Sequence, residues 1–258
     1  MVDKRIMTFE GIVMYQREHK ERDLLVKILT REAGKKMFFI KNGKSKRNRI
    51  AAELQPLTHA TYEGTLNQTG LSFVDDVKAA RLPRKLMADI ELNAYATYIL
   101  GLIDSAFVDD QPIENWFDLA VLALTKLEEN FDAQGLANYF ELALLPAFGF
   151  DLTWGKCVVC GRSDLPMDFS EELQGTICQN HFANDEYRLN ADPRAILILS
   201  KLNATSLTQL GSLSLKSETK QEMARVMDKI YDDHVGIHLR SKSFIKQLDE
   251  WQDRLKRD

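Results

Sequence analysis

Three cysteines and one histidine have the types and the spacing of a metal site. Cys157 and Cys160 are separated by two residues, and Cys178 and His181 repeat that spacing after 17 intervening residues. Two residues between ligands allow one tight turn to direct both side chains at a single tetrahedral centre, and thiolate and imidazole are ligands that zinc prefers. Four protein ligands leave no position for water or substrate, so we expect a structural zinc ion, Zn²⁺, rather than a catalytic one.

The cysteine count agrees with this interpretation. The chain contains three cysteines, all in this segment. An odd number at metal spacing argues against a disulfide framework and favours a reducing compartment. The alternative is a chance arrangement of the four residues. We expect the metal to fold a loop-rich segment, residues 154–184, that holds few apolar side chains.

A second candidate site is the most basic stretch of the chain, residues 41–49, which holds five cationic side chains and no acidic one. Neighbouring turns add further cations, and clustered Lys and Arg are typical of nucleic-acid contact. The alternative is a solvated hairpin turn. The candidate DNA-binding residues are Arg17, Lys20, Arg22, Lys35, Lys36, Lys41, Lys44, Lys46, Arg47 and Arg49. The interleaved aromatic residues could stack on bases or belong to a core; they are Tyr15, Phe38, Phe39 and Tyr62.

Charge is unevenly distributed along the chain. The whole sequence has a net charge of −4, but residues 1–50 hold 14 Lys or Arg against 6 Asp or Glu. Such an asymmetry predicts that one domain meets a polyanion and another does not. The N-terminal sequence lacks the apolar region of a signal peptide, and no apolar run is long enough to span a membrane. We therefore expect a cytoplasmic protein with no membrane partner.

The elements that position these residues change in type along the chain. From Thr8 to about Ala80, five or six short apolar runs alternate with turns that contain Gly34, Gly43, Gly64 and Gly70, a texture that predicts a small barrel or sandwich. One of the candidate strands is residues 50–58. Beyond Pro83, helical periodicity takes over and predicts helices at 84–107, 113–130, 134–148, 193–202, about 217–234 and 242–257. We therefore predict an α+β protein with a boundary between 1–81 and 82–258.

Catalytic motifs are missing. The sequence has no phosphate-binding P-loop, dinucleotide fingerprint, nucleophile elbow or H-E-x-x-H pair. His19-Lys20-Glu21 with the later C-x-x-C imitates the signature of zinc deaminases. However, Lys156 replaces the proline of that signature, and Cys178 and His181 would have no role. We expect no enzymatic activity and no small-molecule substrate.

Three stretches together resemble a known family. Residues 11–64 include a turn at Asp23, a glycine-lysine hairpin at Gly34–Lys36, the basic loop and an L-Q-P-L-T segment at Leu54–Thr58. Residues 140–161, FELALLPAFGFDLTWGKCVVCG, are similar to a helix that leads into a zinc segment, which GTICQNH closes. Over nearly its full length the chain resembles the bacterial RecO family of recombination mediators. His181 stands where many relatives have cysteine, which preserves tetrahedral ligation.

The resemblance implies an N-terminal OB-fold, a five-stranded partly open barrel, followed by a helical domain that carries the zinc hairpin. It also implies a nucleoid-associated protein of DNA repair and recombination that binds single- and double-stranded DNA. Such a protein would anneal strands coated by single-strand-binding protein and, with its partner RecR, help to load RecA. The alternative function is a zinc-stabilised scaffold that binds RNA or protein and does not anneal DNA.

Overall fold

The computed structural model describes residues 6–45 and 47–255. Within these residues, five N-terminal strands form a closed barrel. They are β1 Met7–His19, β2 Asp23–Thr30, β3 Gly34–Ile40, β4 His59–Thr65 and β5 Ser72–Arg81. The order around the barrel is β1-β2-β3-β5-β4, and β4 pairs back onto β1. The pairs are antiparallel except β3–β5, a short parallel contact between Phe38 and Ser72 and between Phe39 and Phe73 that closes the barrel. The predicted barrel is confirmed.

The barrel interior is filled by large apolar side chains from alternate positions of the strands. Phe9, Val26, Phe38 and Tyr62 are fully buried. The Phe9 ring stacks on those of Phe38 and Tyr62 with centroids 5.3 and 5.6 Å away. Phe38 and Tyr62 are therefore core residues. They cannot serve as stacking platforms for bases, the other role considered for them above.

Residues 50–58, a candidate strand, form turns instead. Pro56 has no N–H to donate to a ladder, and Leu57 has φ +69°, which an extended strand cannot adopt. The segment is fastened to β1, because the Leu57 N–H donates to the carbonyl of Val13 (2.7 Å) and the Val13 N–H donates to that of Thr58 (2.9 Å).

Seven α-helices lie among the described residues. They are α1 Arg84–Ala88, α2 Ile90–Ala106, α3 Glu114–Glu128, α4 Ala133–Leu144, α5 Pro193–Ala204, α6 Ser217–Ile230 and α7 Arg240–Leu255. The single helix predicted for residues 84–107 is divided at Asp89, whose backbone is extended. The Asp89 carboxylate accepts hydrogen bonds from the N–H groups of Glu91 and Leu92, both at 3.0 Å. Asp89 thereby caps α2 and ends α1.

By compactness, the described chain divides into two units. One contains the barrel, α1 to α3 and the residues from Ser241 onward; the other is Asn130–Arg240. The boundary predicted after residue 81 was placed where strands give way to helices, whereas these units are defined by compactness. That boundary therefore stays a prediction. The second unit holds an antiparallel hairpin of β6 Met167–Ser170 and β7 Gly175–Cys178. No helix in the described part of the chain has the length and apolarity that a membrane span requires.

Candidate metal centre and nucleic-acid interface

The four predicted metal ligands converge in the second unit. The ligand atoms of Cys157, Cys160, Cys178 and His181 all lie within 4.8 Å of one another. The sulfurs of Cys160 and Cys178 are 3.8 Å apart, and His181 Nδ1 lies 3.6 Å from Cys157 Sγ and 3.2 Å from Cys178 Sγ. Around a tetrahedral ion with metal–sulfur bonds of about 2.3 Å and a metal–nitrogen bond of about 2.0 Å, these separations would be about 3.8 and 3.5 Å. The four atoms can therefore hold one metal ion.

Local backbone structure explains this convergence. The first pair sits in a tight turn, where the Gly161 N–H donates to the Cys157 carbonyl (2.8 Å) and Gly161 has φ +74°. Cys178 is the last residue of β7, and a 3₁₀ helix, Gln179–Asn184, directly follows and carries His181. The Val158 N–H donates to the Thr176 carbonyl at 2.9 Å and thereby ties the first turn to β7.

Gly175 is required at the start of β7 because the chain before Cys157 passes close to it. Thr153 bridges to Gly175, and a Cβ at Gly175 would lie 2.7 Å from both the Thr153 oxygen and a Val158 methyl carbon. Only glycine lets the two ligand turns approach this closely.

The Cys157 thiol is prepared for metal binding. Burial raises the pKa of this thiol, but backbone N–H donors, of which Cys178 contributes most, outweigh burial and lower the pKa to about 6. A thiolate is the form that binds metal.

Cationic side chains converge on the barrel in the first unit. A groove of about 700 Å³ is lined, among the described residues, by five cations and one acid. We call it the basic groove; its lining residues are Glu21, Arg22, Lys41, Asn42, Lys44, Ser45, Arg47, Asn48 and Arg49. The structure thus brings together five of the ten predicted DNA-binding residues.

The groove forms because the β1–β2 turn and the basic loop are tied together. The Lys44 N–H donates to the Arg22 carbonyl (3.0 Å), and the Asn42 N–H donates to a carboxylate oxygen of Asp23 (2.8 Å). The Lys44 ammonium lies 3.1 Å from a carboxylate oxygen of Glu18, so part of its charge is already balanced.

Two other predicted residues lie outside the groove lining, and the structure does not describe a third. Lys20 is exposed in the β1–β2 turn beside the groove lining. Arg17 is exposed on β1, with its guanidinium 4.8 Å from the centre of the Tyr15 ring. Lys46 lies outside the described residues.

Lys35 and Lys36 are placed inside the protein, and we remove them from the candidate DNA-binding residues. Each is 2% exposed. The Lys35 ammonium lies 3.0 Å from Asp104 and 3.2 Å from Asp109, and the Lys36 ammonium lies 2.6 Å from Asp110. A buried ammonium that is already paired with a carboxylate cannot reach a phosphate on the surface.

Sequence reasoning missed the acidic partners of these lysines. The segment Asp104–Asp110, at the end of α2 and in the connection to α3, also binds buried Lys27 through Asp109. We call it the acidic segment. The adjacent acids Asp109 and Asp110 were the available sign of a partner for these lysines. However, nothing in the sequence indicates that they contact the β2–β3 hairpin, some 70 residues earlier.

Comparison with known proteins identifies the family of the chain. Residues 4–83 match the family model described as "Recombination protein O N terminal", and residues 87–243 match "Recombination protein O C terminal". Curated relatives named "DNA repair protein RecO" include those of Limosilactobacillus reuteri (43% identical over 247 residues, covering 96% of this chain and 95% of the relative) and Pediococcus pentosaceus (41% over 244 residues, 95% and 96%). The protein of Enterococcus faecalis is 38% identical over 247 residues, covering 96% and 94%. The chain belongs to the RecO family of DNA repair proteins.

Proposed function

We propose that this protein is a DNA-binding recombination mediator. It anneals complementary single strands coated by single-strand-binding protein and, together with RecR, helps to load the RecA recombinase. It acts in the cytoplasm, at the nucleoid, where its DNA substrate lies.

The observation that carries this proposal is the basic groove. Its five described cations can neutralise phosphates and release counterions, which gives affinity with little sequence preference. Its other described lining residues are polar or acidic, and none is aromatic. Such a surface holds the sugar-phosphate backbone and leaves the edges of the bases free to pair.

Annealing requires no covalent step. Two strands repel each other through their phosphates, and a protein that neutralises these charges allows pairing to begin. We therefore propose a non-enzymatic role. Glu21, the acid of the deaminase-like pattern, lines the basic groove in the first unit, whereas the three cysteines lie in the second. A hydrolase or deaminase would lose its turnover in a Glu21→Gln variant. We expect no turnover in either the wild type or this variant.

We further propose that the metal is zinc and that its role is structural. Three thiolates and one imidazole are the donor set of tetrahedral zinc sites. When bound, zinc would fold residues 154–184, because it joins the Cys157–Cys160 turn to the β6–β7 hairpin. With four protein ligands, the ion has no open position for a reacting group.

Strand annealing with and without single-strand-binding protein tests the proposed function. In the variant Lys41→Gln/Arg47→Gln/Arg49→Gln we expect the annealing rate to fall about tenfold or more, because three phosphate contacts are lost. The variant Arg194→Gln/Lys201→Gln/Lys216→Gln removes three exposed cations of the second unit and should anneal like the wild type. Equal rates for all three proteins would contradict the proposal.

Competition separates DNA binding from the alternative scaffold. Single-stranded DNA and RNA of equal length would compete for the protein at fixed salt. We expect DNA to be bound at least as well as RNA, and annealing to accompany binding. Preferential binding of RNA without annealing would favour the scaffold.

A further inference from the structure

The outer wall of the barrel carries a row of side chains that crosses four strands. Arg17 on β1 is in register with Leu25 on β2, Leu25 with Phe39 on β3, and Phe39 with Phe73 on β5. Neighbouring strands are about 4.8 Å apart, so the row extends over about 14 Å. We call these four residues the aromatic row.

Phe39 and Phe73 lie on the outer face of the barrel, since the residues next to them in the chain, Phe38 and Val74, face the core. Phe38 is fully buried, Val74 packs against the core cluster, and successive side chains of a strand alternate between its faces. Phe39 and Phe73 are partly exposed, with ring centroids 6.3 Å apart and planes at 78°. The His19 ring meets Phe39 edge-on at 6.0 Å. The wall therefore presents aromatic ring surface that is partly open to solvent.

The neighbouring part of the same wall is already occupied. One row further along, Lys27 is in register with Tyr15 and Met37. The buried Lys27 ammonium contacts Asp109, so the acidic segment covers this position. Lys27 is 4% exposed, so a nucleic acid cannot reach it and is left with the aromatic row.

The aromatic row is continuous with the basic groove. Phe39 and Lys41 are two residues apart along the chain, so their Cα atoms lie within about 7 Å of each other, and β3 ends at Ile40 where the turn that carries Lys41 begins. Lys41 lines the groove. A strand whose phosphates lie in the groove can therefore place its bases on the row.

We propose that the aromatic row, with the ring of His19, is a stacking site for the unpaired bases of single-stranded DNA. This stacking site rests on the proposed DNA binding by the barrel, and it would distinguish single-stranded from duplex DNA. Bases in a duplex are already stacked and paired, so duplex DNA uses the basic groove alone. A single strand uses both surfaces, because its bases are free to stack on aromatic side chains.

The test replaces the π-face and keeps the apolar volume. With Phe39→Leu we expect affinity for a single-stranded oligonucleotide to fall about tenfold, the effect of losing one base–aromatic contact, and affinity for duplex of equal length to stay unchanged. Phe39→Tyr should restore single-strand binding. The matched control is Met37→Leu, on the same face of β3, which should bind both forms like the wild type.

An abasic oligonucleotide of the same length and charge provides a second measurement that does not depend on the variant's stability. Wild type should bind the abasic strand about tenfold more weakly than the normal one, and Phe39→Leu should reduce that difference. Equal binding of normal and abasic strands by wild type would overturn the stacking site. Equal losses on single-stranded and duplex DNA in a Phe39→Leu protein with an unchanged melting temperature would also overturn it.

Failure of this assignment is distinguishable from failure of the proposed function. The groove variant Lys41→Gln/Arg47→Gln/Arg49→Gln should weaken single-stranded and duplex binding together. If it does so while Phe39→Leu has no effect, the groove stands and the stacking site falls. If Phe39→Leu weakens only single-strand binding while the groove variant binds like wild type, the stacking site stands and the groove falls.

Discussion

At the scale of single residues, the metal ligands were predictable and the buried lysines were not. The two C-x2 spacings fix how Cys157, Cys160, Cys178 and His181 can share an ion, because the geometry of a tight turn is set locally. Whether Lys35 reaches solvent depends on Asp104, nearly 70 residues later in the chain. The basic composition suggested that Lys35 contacts DNA, whereas in the fold Lys35 is paired with the carboxylate of Asp104.

Metal content tests the ligand assignment at this scale. We expect wild type to retain about one zinc ion per chain, and Cys178→Ser to lose it with a lower melting temperature, because a structural zinc site contributes folding free energy. His181→Cys preserves four tetrahedral donors and should keep the metal.

The control for this measurement is His238→Ala, an exposed histidine outside the ligand set, which should retain both metal and melting temperature. Full metal content in Cys178→Ser would contradict the assignment.

At the scale of elements, the acidic segment holds the connection between α2 and α3 against the β2–β3 hairpin. Lys27, Lys35 and Lys36 are each less than 5% exposed and each binds a carboxylate of this segment. The packing is close, since a Cβ at Gly34 would lie 1.7 Å from the Gln111 carbonyl oxygen. These contacts make the first helices part of the same compact unit as the barrel.

The acidic segment predicts a pH dependence of stability. Partial burial acts to raise the pKa of Asp109, but Lys27 and Lys35 outweigh it and hold the pKa below its ordinary value. A carboxyl whose pKa is lower in the folded protein stabilises that state above the ordinary pKa, about 4, and the stabilisation is lost as pH falls through the folded pKa. We therefore expect Asp109→Asn to unfold at lower urea concentration than wild type at pH 7, with the difference shrinking towards pH 3.

Asp75→Asn, which removes an exposed carboxylate of β5, is the matched control and should unfold like wild type at both pH values. A difference between Asp109→Asn and wild type that grows on acidification would contradict the assignment.

The elements themselves were mostly predictable, and the exceptions have physical causes. The five strands follow from short apolar runs separated by turns. Residues 50–58 were mistaken for a sixth strand because apolar content alone does not reveal that Leu57 adopts φ +69°. The break at Asp89 was missed because aspartate fits helical periodicity, and its role as a cap appears only in its hydrogen bonds to the turn that follows.

At the scale of the whole molecule, the fold divides the cationic residues of the N-terminal part of the chain into a paired set and a set that lines the basic groove. Residues 1–50 hold 14 Lys or Arg. The fold pairs Lys27, Lys35 and Lys36 with carboxylates of the acidic segment and gathers five others in the basic groove. The sequence revealed the excess charge but not this division, because the division depends on which positions the acidic segment covers.

The salt dependence of DNA binding tests the central claim most directly. Five cations in contact with the phosphates of a single strand predict that log affinity falls with log salt concentration at a slope of about −3.5, and the loss of three in Lys41→Gln/Arg47→Gln/Arg49→Gln reduces that slope by about 2. The control variant of the second unit should keep the wild-type slope. An affinity that does not change with salt, or a slope that the groove variant leaves unaltered, would contradict the account.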